Sequence, residues 1–595
     1  MKKLYYFTLF FMLLLCRMTS AQTKIVVLSD PHVMAPSLLV SEGSAWTEYL
    51  AGQRKLVDYS KPLFDEMIAR IKDDIQPDLV LITGDLSKDG ETVSHEYVVS
   101  KLNVLKDAGI KSLVIPGNHD RGSNANAVSY NGSTTTPVPT ATNDWFATTY
   151  ANYGYGASSD REATTLTYAC EPVEGLMLIG VDSGTDGTVS ATTLDWVCDK
   201  AAEAYATGKQ VIAMMHHPLF PHFTGVDTFV ETATVDNYAT VRNRLADAGV
   251  KVVFTGHFHT SDIAKDYNAD LSKDIYDVNT GSLISYPCDY RVVLLNSDLT
   301  QMDITTASIT EITPGDGFST TAKTRLSNSV KAQATAKGIS YSLIADPLAQ
   351  AFVFHAEGDE DESIGAQTLL TTYGPSLPEA LKPLANSMLQ DLSNYGDVDR
   401  QDKTADRILS ITMPALTETI TMAADGWSTY CTGRRLDLSK TDGVIGYIVS
   451  STATNKVVLQ QVSIVPANTG FIVNGTSTSY ALHATDKAAD DMSSNKLVGT
   501  LVATPAPTNT YVLSTQGGKA GFYPVQTGLS IPAHKAYLTV PGGARKLEID
   551  GISTDIQTVT RSTQSGDRYY DLQGHQLMRP MKGVVITKGK SFISK

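Results

Sequence analysis

KIVVLSDPH (residues 24–32) and LVLITGD (residues 79–85) decide the fold. Each opens as a run of aliphatic and β-branched residues without polar alternation, the pattern of a strand buried on both faces. Each then stops at groups that carry chemistry: Asp30 and His32 in the first, Asp85 in the second. Between them, Lys55–Ile75 shows apolar residues at helical spacing. The unit repeats outward. Ser94–Ala108 reads as a helix, and Ser112–Ile115 as a strand that runs into Gly117-Asn118-His119-Asp120. Leu176–Val181 is a further strand. Val211–Met215 runs into His216-His217-Pro218, and Val252–Thr255 into Gly256-His257-Phe258-His259. Helical stretches at Thr193–Ala206 and Tyr238–Ala248 separate these last strands. Such alternation predicts an α/β domain with parallel strands. Gly122–Thr142, rich in Ser, Thr, Asn and Gly, reads as a long surface loop.

In α/β sheets, functional groups collect at the carboxyl ends of the strands. The groups there are carboxylate, amide oxygen and imidazole, which suit manganese, iron(II) or zinc; no thiolate asks for a soft metal. One carboxylate can bridge two cations. A pair of cations about 3.5–4 Å apart activates water and stabilises a leaving oxygen, which is phosphoester chemistry. A lone DxH, or His32 or His216 alone, is more often packing. GNHD and GHxH at strand ends are far more specific, and five signatures in order leave little room for a packing explanation.

That order, DxH, GD, GNH(D/E), H and GHxH, resembles the calcineurin-like metallophosphoesterase superfamily over residues 24–300. The resemblance implies a four-layer α/β sandwich and two divalent metal ions (Mn, Fe or Zn). It implies that Asp30, His32 and His259 hold the first ion, Asn118, His216 and His257 the second, and that Asp85 bridges. His119 is implied as general acid or transition-state stabiliser, with Asp120 orienting its ring. His217 is the neighbour to weigh against His216; the family's ligand stands two residues before the proline, and consecutive strand residues face opposite sides. His95, His222 and His355 match no motif and read as surface or packing residues, with His222 a candidate for the pocket rim. Purple acid phosphatases carry a tyrosine soon after the GD; Leu86-Ser87-Lys88-Asp89-Gly90 has none, which argues against iron(III). WTEYLAGQRKL (46–56), GDLSKDG (84–90), TTYANYGYGASSDREATTLTY (148–168) and TGSLISYPCDYRVV (280–293) resemble the bacterial cyclic-nucleotide phosphodiesterase-like branch. The implied activity is hydrolysis of phosphodiesters, cyclic nucleotides first among them, by a metal-activated hydroxide. Two alternatives stay open: a phosphomonoesterase (nucleotidase or nucleotide-sugar pyrophosphatase), and a surface binding or display protein with a degenerate catalytic domain.

The chain of 595 residues is too long for one core. Residues 1–21 read as a signal peptide: Met1-Lys2-Lys3, an apolar run from Leu4 to Cys16, then Thr19-Ser20-Ala21, with cleavage after Ala21. The run falls short of the about 20 residues that span a bilayer. An alternative makes Cys16 a lipid-attachment site, against which Leu15 is a poor match. An exported protein of a Gram-negative bacterium is therefore expected, periplasmic, surface-held or secreted, with no membrane span in the mature chain. Residues 22–310 form the expected phosphoesterase domain and 311–410 a helical extension, with helical patterns at Lys323–Lys337 and Leu377–Tyr395 around the acidic run Glu357–Glu362. Residues 411–550 form a β-sandwich-like all-β module, and 551–595 a linker and tail. GWSTYC, VPANTGFIV, AGFYPV and the tail YYDLQGHQLMRPMKGVVITKGKSFISK resemble C-terminal regions of exported proteins, and such tails can act in surface association. The module's aromatics (Trp427, Tyr430, Tyr447, Tyr511, Phe522, Tyr523) fit either a sugar-binding surface or, more simply, a core. Cys170, Cys198, Cys288 and Cys431 are too scattered for a disulfide framework or a zinc-thiolate site. A net charge of -15 argues against general nucleic-acid binding and leaves a small phosphoester or nucleotide as partner.

Overall fold

The computed structural model describes residues 22–595 except 52, 223–225, 227–231, 314–316, 337–341, most of 359–405, 517–518 and most of the segment after 553. The expected signal peptide, the Leu377–Tyr395 helix and most of the acidic run lie outside the described residues. The chain divides into two compact units, Met1–Leu416 without residues 206–208, and Thr417–Lys595 with them.

The first unit contains two large sheets. One orders its strands β16-β15-β14-β1-β3-β4. Here β1 is Thr23–Leu28, β3 Leu79–Ile82, β4 Lys111–Val114, β14 Asp289–Leu295, β15 Gln301–Ser308 and β16 Ile408–Thr412. β1, β3 and β4 are parallel, and β14 turns the pattern antiparallel. The other sheet runs β12-β13-β11-β10-β9-β8-β7. Its parallel centre is β9 (Leu176–Val181), β10 (Gln210–Met215), β11 (Val252–Thr255) and β13 (Asp274–Asn279). β12 (Asp262–Tyr267), β8 (Tyr168–Val173) and β7 (Asp160–Arg161) complete it.

Side-chain alternation makes the layers. On β10, Ile212 and Met214 enter the core shared with β1, β3 and β4, while Val211, Ala213 and Met215 face the other way. That outer face packs on Leu194, Val197 and Ala201 of α5 (Ala191–Ala206) and on Val241 and Leu245 of α6 (Tyr238–Asp247). The first sheet is covered by α2 (Ser60–Ala69) and α3 (Thr92–Asp107), through Phe64, Met67, Val98 and Leu102. Helices, sheet, sheet and helices are the four layers. Burial of these side chains stabilises the unit by about 25 cal/mol per Å² of apolar surface. The two parallel centres aim β1, β3, β4, β10 and β11 so that their following loops meet.

Two segments differ from the sequence reading. Gly122–Thr142 is not a plain loop: β5 (Val128–Asn131) and β6 (Thr134–Pro137) form a hairpin, and β5 pairs in parallel with β2 (Leu39–Ser41). Gly132 (φ 61°) and Ser133 make the turn, and polar Ser and Thr hid the strand pattern. Ile408–Thr412 is an edge strand on β15. Between β15 and β16 lie α7 (Phe318–Ala336) and α8 (Ser342–Glu357). Among the described residues no helix is long and apolar enough to cross a membrane.

The second unit is all-β. A nine-stranded sheet curls until Ala536 N–H donates to Thr429 Oγ1 at 3.2 Å, joining two non-adjacent strands into a near-barrel. Tyr430, Tyr447, Tyr511 and Phe522 are buried, and Trp427 stacks on Tyr447 with centroids 5.8 Å apart. These aromatics build core rather than an open sugar platform. The described strands of the tail form a four-stranded sheet in which Gly583–Thr587 pairs with Lys590–Ser594. Cys170, Cys198, Cys288 and Cys431 are free thiols.

Candidate metal centre

Five strand ends deliver the donors. Asp30 and His32 follow β1, Asp85 follows β3, Asn118 and His119 follow β4, His216 follows β10, and His257 and His259 follow β11. Asp30, His32, Asp85, His257 and His259 have φ of 48°, 36°, 49°, 71° and 63°. Non-glycine residues avoid this left-handed region, at a cost on the order of 1 kcal/mol or more each. The turn out of each strand throws the side chain back over the sheet end. Backbone hydrogen bonds hold the turns: Asp30 N to Gly84 O at 3.2 Å, His32 N to Asp85 O at 2.9 Å and Gly256 N to His216 O at 3.0 Å. Two motif glycines are required by close approach. A Cβ on Gly117 would strike the Asp85 carboxylate, and one on Gly256 the Ser29 hydroxyl and the Asp30 carboxylate.

Donor atoms converge in two groups, Asp30/His32/His259 and Asp30/Asp85/His216. In the first, His32 Nε2 and His259 Nε2 face each other at 3.2 Å, and His259 Nε2 lies 3.1 Å from Asp30 Oδ1. Asp85 Oδ2 lies between the groups, 3.5 Å from His32 Nε2 and 3.4 Å from His216 Nε2. Asn118 Oδ1 is 2.9 Å from His216 Nε2 and 3.1 Å from His257 Nδ1, which brings both beside the second group. Asp30 Oδ1, 3.1 Å from His259 Nε2, is buried with no hydrogen-bond partner. Buried polar atoms are normally paired, so such a cluster is fitted for cations rather than for packing.

Neighbouring groups set the ring orientations, as second-shell partners do around metals. His216 Nδ1 donates to Thr83 O at 3.0 Å, which leaves Nε2 aimed at Asp85. His259 Nδ1 lies 2.9 Å from Ser285 Oγ, which likewise turns Nε2 inward. Electrostatics follow. Burial alone would push Asp85 up, but His216, His119 and His32 hold it well below the usual carboxylate range. Burial drives His257 down to about 3 and His259 to about 4, so both rings are neutral, ready ligands at neutral pH. His216 goes the other way, to about 9: burial opposes its charge, and Asp85 and Asp30 outweigh that.

His119 lies beside this centre, its ring 5.0 Å from that of His32 and its side chain 27% exposed. Its N–H donates to Asp85 Oδ1 at 2.8 Å. Here one expectation fails. Asp120 does not orient the His119 ring. Its carboxylate accepts from Leu86 N (3.0 Å), Ser87 N (2.9 Å) and Gly117 N (2.8 Å), pinning the loop after β3 to the loop after β4. The next side chain after His119 points inward, while the ring turns to the opening. Asp89 is the partner: its Oδ1 lies 2.9 Å from His119 Nδ1, and Lys88 Nζ donates to its Oδ2 at 2.5 Å. Burial would raise Asp89, and His119 and Lys88 hold it low, hence charged. The signal was present: Asp89 shares the loop of Asp85, in GDLSKDG.

His95, His217, His222 and His355 are buried. His217 turns away, its Nδ1 2.8 Å from Ser183 Oγ. His95 braces the Asp120 loop, with Nε2 2.8 Å from Asp120 O and Nδ1 2.8 Å from Tyr150 OH. His222 is not on a rim; it lies between Asp262 (3.3 Å) and Asp277 (3.1 Å).

Strand ends, two candidate ligand groups and a histidine–carboxylate pair define a metal-dependent hydrolase centre on an α/β sandwich. The sequence model of the calcineurin-like phosphoesterase family matches residues 23–261, which form a metallophosphoesterase domain within this chain. A probable cyclic nucleotide phosphodiesterase of Fibrobacter succinogenes is 24% identical over 184 residues, 31% of this chain and 58% of that protein. A 3',5'-cyclic-nucleotide phosphodiesterase of a Nostoc species is 26% identical over 236 residues, 40% of this chain and 71% of that protein. The solved structure of GAP50, the anchor in the inner membrane complex of Plasmodium, aligns with 48% of this chain and 84% of its own at 11% identity and a TM-score of 0.25.

Proposed function

We propose that this protein hydrolyses phosphodiesters at the centre described, with cyclic nucleotides as the first substrate class. The observation that carries the reading is Asp85 Oδ2, placed within 3.5 Å of a bare imidazole nitrogen in each ligand group. Asp30, His32 and His259 would hold one divalent cation, Asn118, His216 and His257 the other, with Asp85 between them. When bound, the two cations supply Lewis acidity and lower the pKa of water toward neutrality. The chain's own work is positioning and proton transfer. His119, with Nδ1 committed to Asp89, presents Nε2 to the leaving oxygen and donates a proton there. Asp89, charged and held by Lys88, stabilises the doubly protonated ring that this donation requires. The names of the two bacterial relatives support cyclic nucleotides as substrates.

The test is hydrolysis of bis(p-nitrophenyl) phosphate and of 3',5'-cyclic AMP by protein reconstituted with manganese, iron(II) or zinc. Turnover that vanishes with chelator and returns with metal is expected. Protein that takes up no metal defeats the reading and revives a display role. We also propose export, supported by the basic, apolar and small-residue order of residues 1–21; mass spectrometry of the mature N-terminus, expected at Gln22, checks it.

A further inference from the structure

Lys88 is fully buried in the loop that carries Asp85 and Asp89. A buried ammonium needs a full set of partners, and this one has them. Its Nζ donates to Asp89 Oδ2 at 2.5 Å and to Asn126 O at 2.7 Å, and Glu91 Oε1 lies 3.1 Å away. Two ring faces attract it as well. The Tyr49 centroid, on α1 (Ser44–Ala51), is 5.1 Å from Nζ, and that of Tyr130, on β5, is 5.7 Å away. Burial opposes the ammonium's charge, and Glu91 and Asp89 outweigh it.

Asp89 is held at both oxygens. Oδ1 lies 2.9 Å from His119 Nδ1 and also accepts from Asn124 Nδ2 at 3.2 Å, while Oδ2 takes the ammonium. The Asp89 backbone N–H donates to Glu91 Oε2 at 3.1 Å. Any rotation of the carboxylate away from His119 breaks contacts on both sides.

These partners come from segments remote in sequence from the metal-ligand motifs. Asn124, Asn126 and Tyr130 belong to the polar segment Gly122–Thr142, and Tyr49 to α1. The polar segment is fastened where it leaves and returns: Gly122 N donates to Ala141 O at 3.0 Å, Ala141 N to Gly90 O at 2.9 Å and Thr92 N to Pro139 O at 3.0 Å. Its turn rests on α1, where Ala45 N donates to Gly132 O at 3.3 Å, and Trp46 and Tyr49 pack on Tyr130 at 4.9 and 5.4 Å. Packing alone would need no amide on Asp89 Oδ1 and no buried ammonium on Oδ2. Both engage the one carboxylate that faces His119.

We propose that Lys88 and Asn124 are positioning residues for protonation of the leaving oxygen, acting through Asp89 on His119, with the hairpin and α1 as the clamp that holds them. The inference rests on the phosphoesterase reading and deepens it: the clamp fits the centre to esters of weakly acidic alcohols, the leaving groups of alkyl and cyclic diesters. In the step concerned, the oxygen of water forms the new bond to phosphorus and the bond to the leaving oxygen breaks. That oxygen takes the His119 Nε2 proton, the water gives its proton to solvent, and the neutral ring keeps Nδ1–H on Asp89. A leaving group that is already a good anion depends little on this proton, and a poor one depends on it strongly.

The experiment compares bis(p-nitrophenyl) phosphate with diphenyl phosphate on manganese-loaded full-length protein; p-nitrophenol is much the stronger acid. Lys88→Met is expected to lower kcat on diphenyl phosphate about tenfold more than on the nitrophenyl ester. Asn124→Ala should do the same by about threefold, the size of one modest hydrogen bond. In a His119→Ala background neither substitution should change the ratio further, because all three act on one proton. Equal losses on both esters would make the clamp merely structural and overturn the proposal. So would a ratio that still shifts when His119 is absent. Where Lys88→Met does not fold, Asn124→Ala, at a half-buried position, decides by the same ratio. Proton NMR of the zinc-loaded protein gives a reading without turnover. A downfield imidazole N–H signal that His119→Ala abolishes should exchange faster with water in Lys88→Met and in Asn124→Ala. A wild type that cleaves neither ester but shows this pattern keeps the clamp and defeats the hydrolase. A signal unchanged in both variants overturns the clamp alone.

Discussion

Two clusters of histidine and carboxylate lie in the first unit, on either side of the loop after β10. In one, His32, His216 and His259 turn their Nε2 atoms toward Asp30 and Asp85, with His257 Nδ1 beside His216. In the other, His222 has a separate carboxylate at each ring nitrogen, Asp262 at Nδ1 and Asp277 at Nε2, and His355 stands 3.7 Å from Asp262. The residue types are the same, and both clusters are buried. The first leaves nitrogens converging on shared space, as ligands must. The second spends its charges on one another, so His222 is pushed up to about 10 and is a fixed cation: burial opposes the charge, and Asp262 and Asp277 outweigh it. Asp277 also accepts from Leu219 N at 2.6 Å, tying the His216 loop to β13. One cluster is built to take up cations and the other to hold a loop.

The largest expected break is at Asp85. Asp85→Ala removes the carboxylate that stands between His32 and His216 and should cut phosphodiester turnover by about 10³-fold or more, with metal content falling in elemental analysis. His222→Gln should leave metal content near wild type. It should instead lower unfolding free energy by about 3–5 kcal/mol, since two buried carboxylates lose their cation. The pH dependence has a definite sign. The folded His222 value of about 10 exceeds the unfolded 6.5, so its stabilisation is whole below 6.5 and fades as pH rises toward 10. Asp262, burial opposed and outweighed by His222, falls to about 2, so the same contact is lost from the acid side as pH drops from 3.8 through 2. Wild-type denaturant melts should show both arms and His222→Gln neither.

A smaller contrast separates Asp89 from Asp120. Asp89→Asn should lower kcat by about 10²-fold, because His119 loses the charged partner that stabilises its doubly protonated ring, with little change in melting temperature. Asp120→Asn should lower stability by about 1–3 kcal/mol through its three backbone N–H contacts. Its kcat per folded molecule should stay close to wild type. If Asp120→Asn takes the larger kcat loss, the assignment of roles is reversed. The smallest effect is a proton count. His216, at about 9, is charged in the metal-free protein near neutral pH, while His257 and His259 are already neutral. Metal uptake should release about one proton, read from calorimetry in buffers of different ionisation enthalpy; Asn118→Ala should leave that count intact.

Much of the centre was legible because each motif ends a strand that is apolar enough to recognise. GNHD and GHxH are contiguous, and their order along the chain carried the resemblance. What escaped was contact between distant segments. Nothing local to Asn118-His119-Asp120 says that the Asp120 carboxylate turns back to Leu86 and Ser87. Asp89 stands in GDLSKDG beside Asp85, but that neighbourhood does not say which ring on another strand's loop it meets. The polar hairpin in Gly122–Thr142 was hidden for a different reason: its strands are stabilised by pairing with β2 and carry no apolar alternation to announce them.

By itself the sequence determined which residues stand at the ends of β1, β3, β4, β10 and β11, because hydrophobic runs and abrupt polar stops are properties of the chain alone. Only the tertiary structure decided what those residues meet. Left-handed turns aim Asp30, Asp85 and His257 into one space. Pairing within two separate sheets brings Asp85 Oδ2 within 3.5 Å of nitrogens from β1 and β10. It also decided that His222 should stand between two carboxylates. Charge interactions depend on distance and burial, and neither is written in the order of residues.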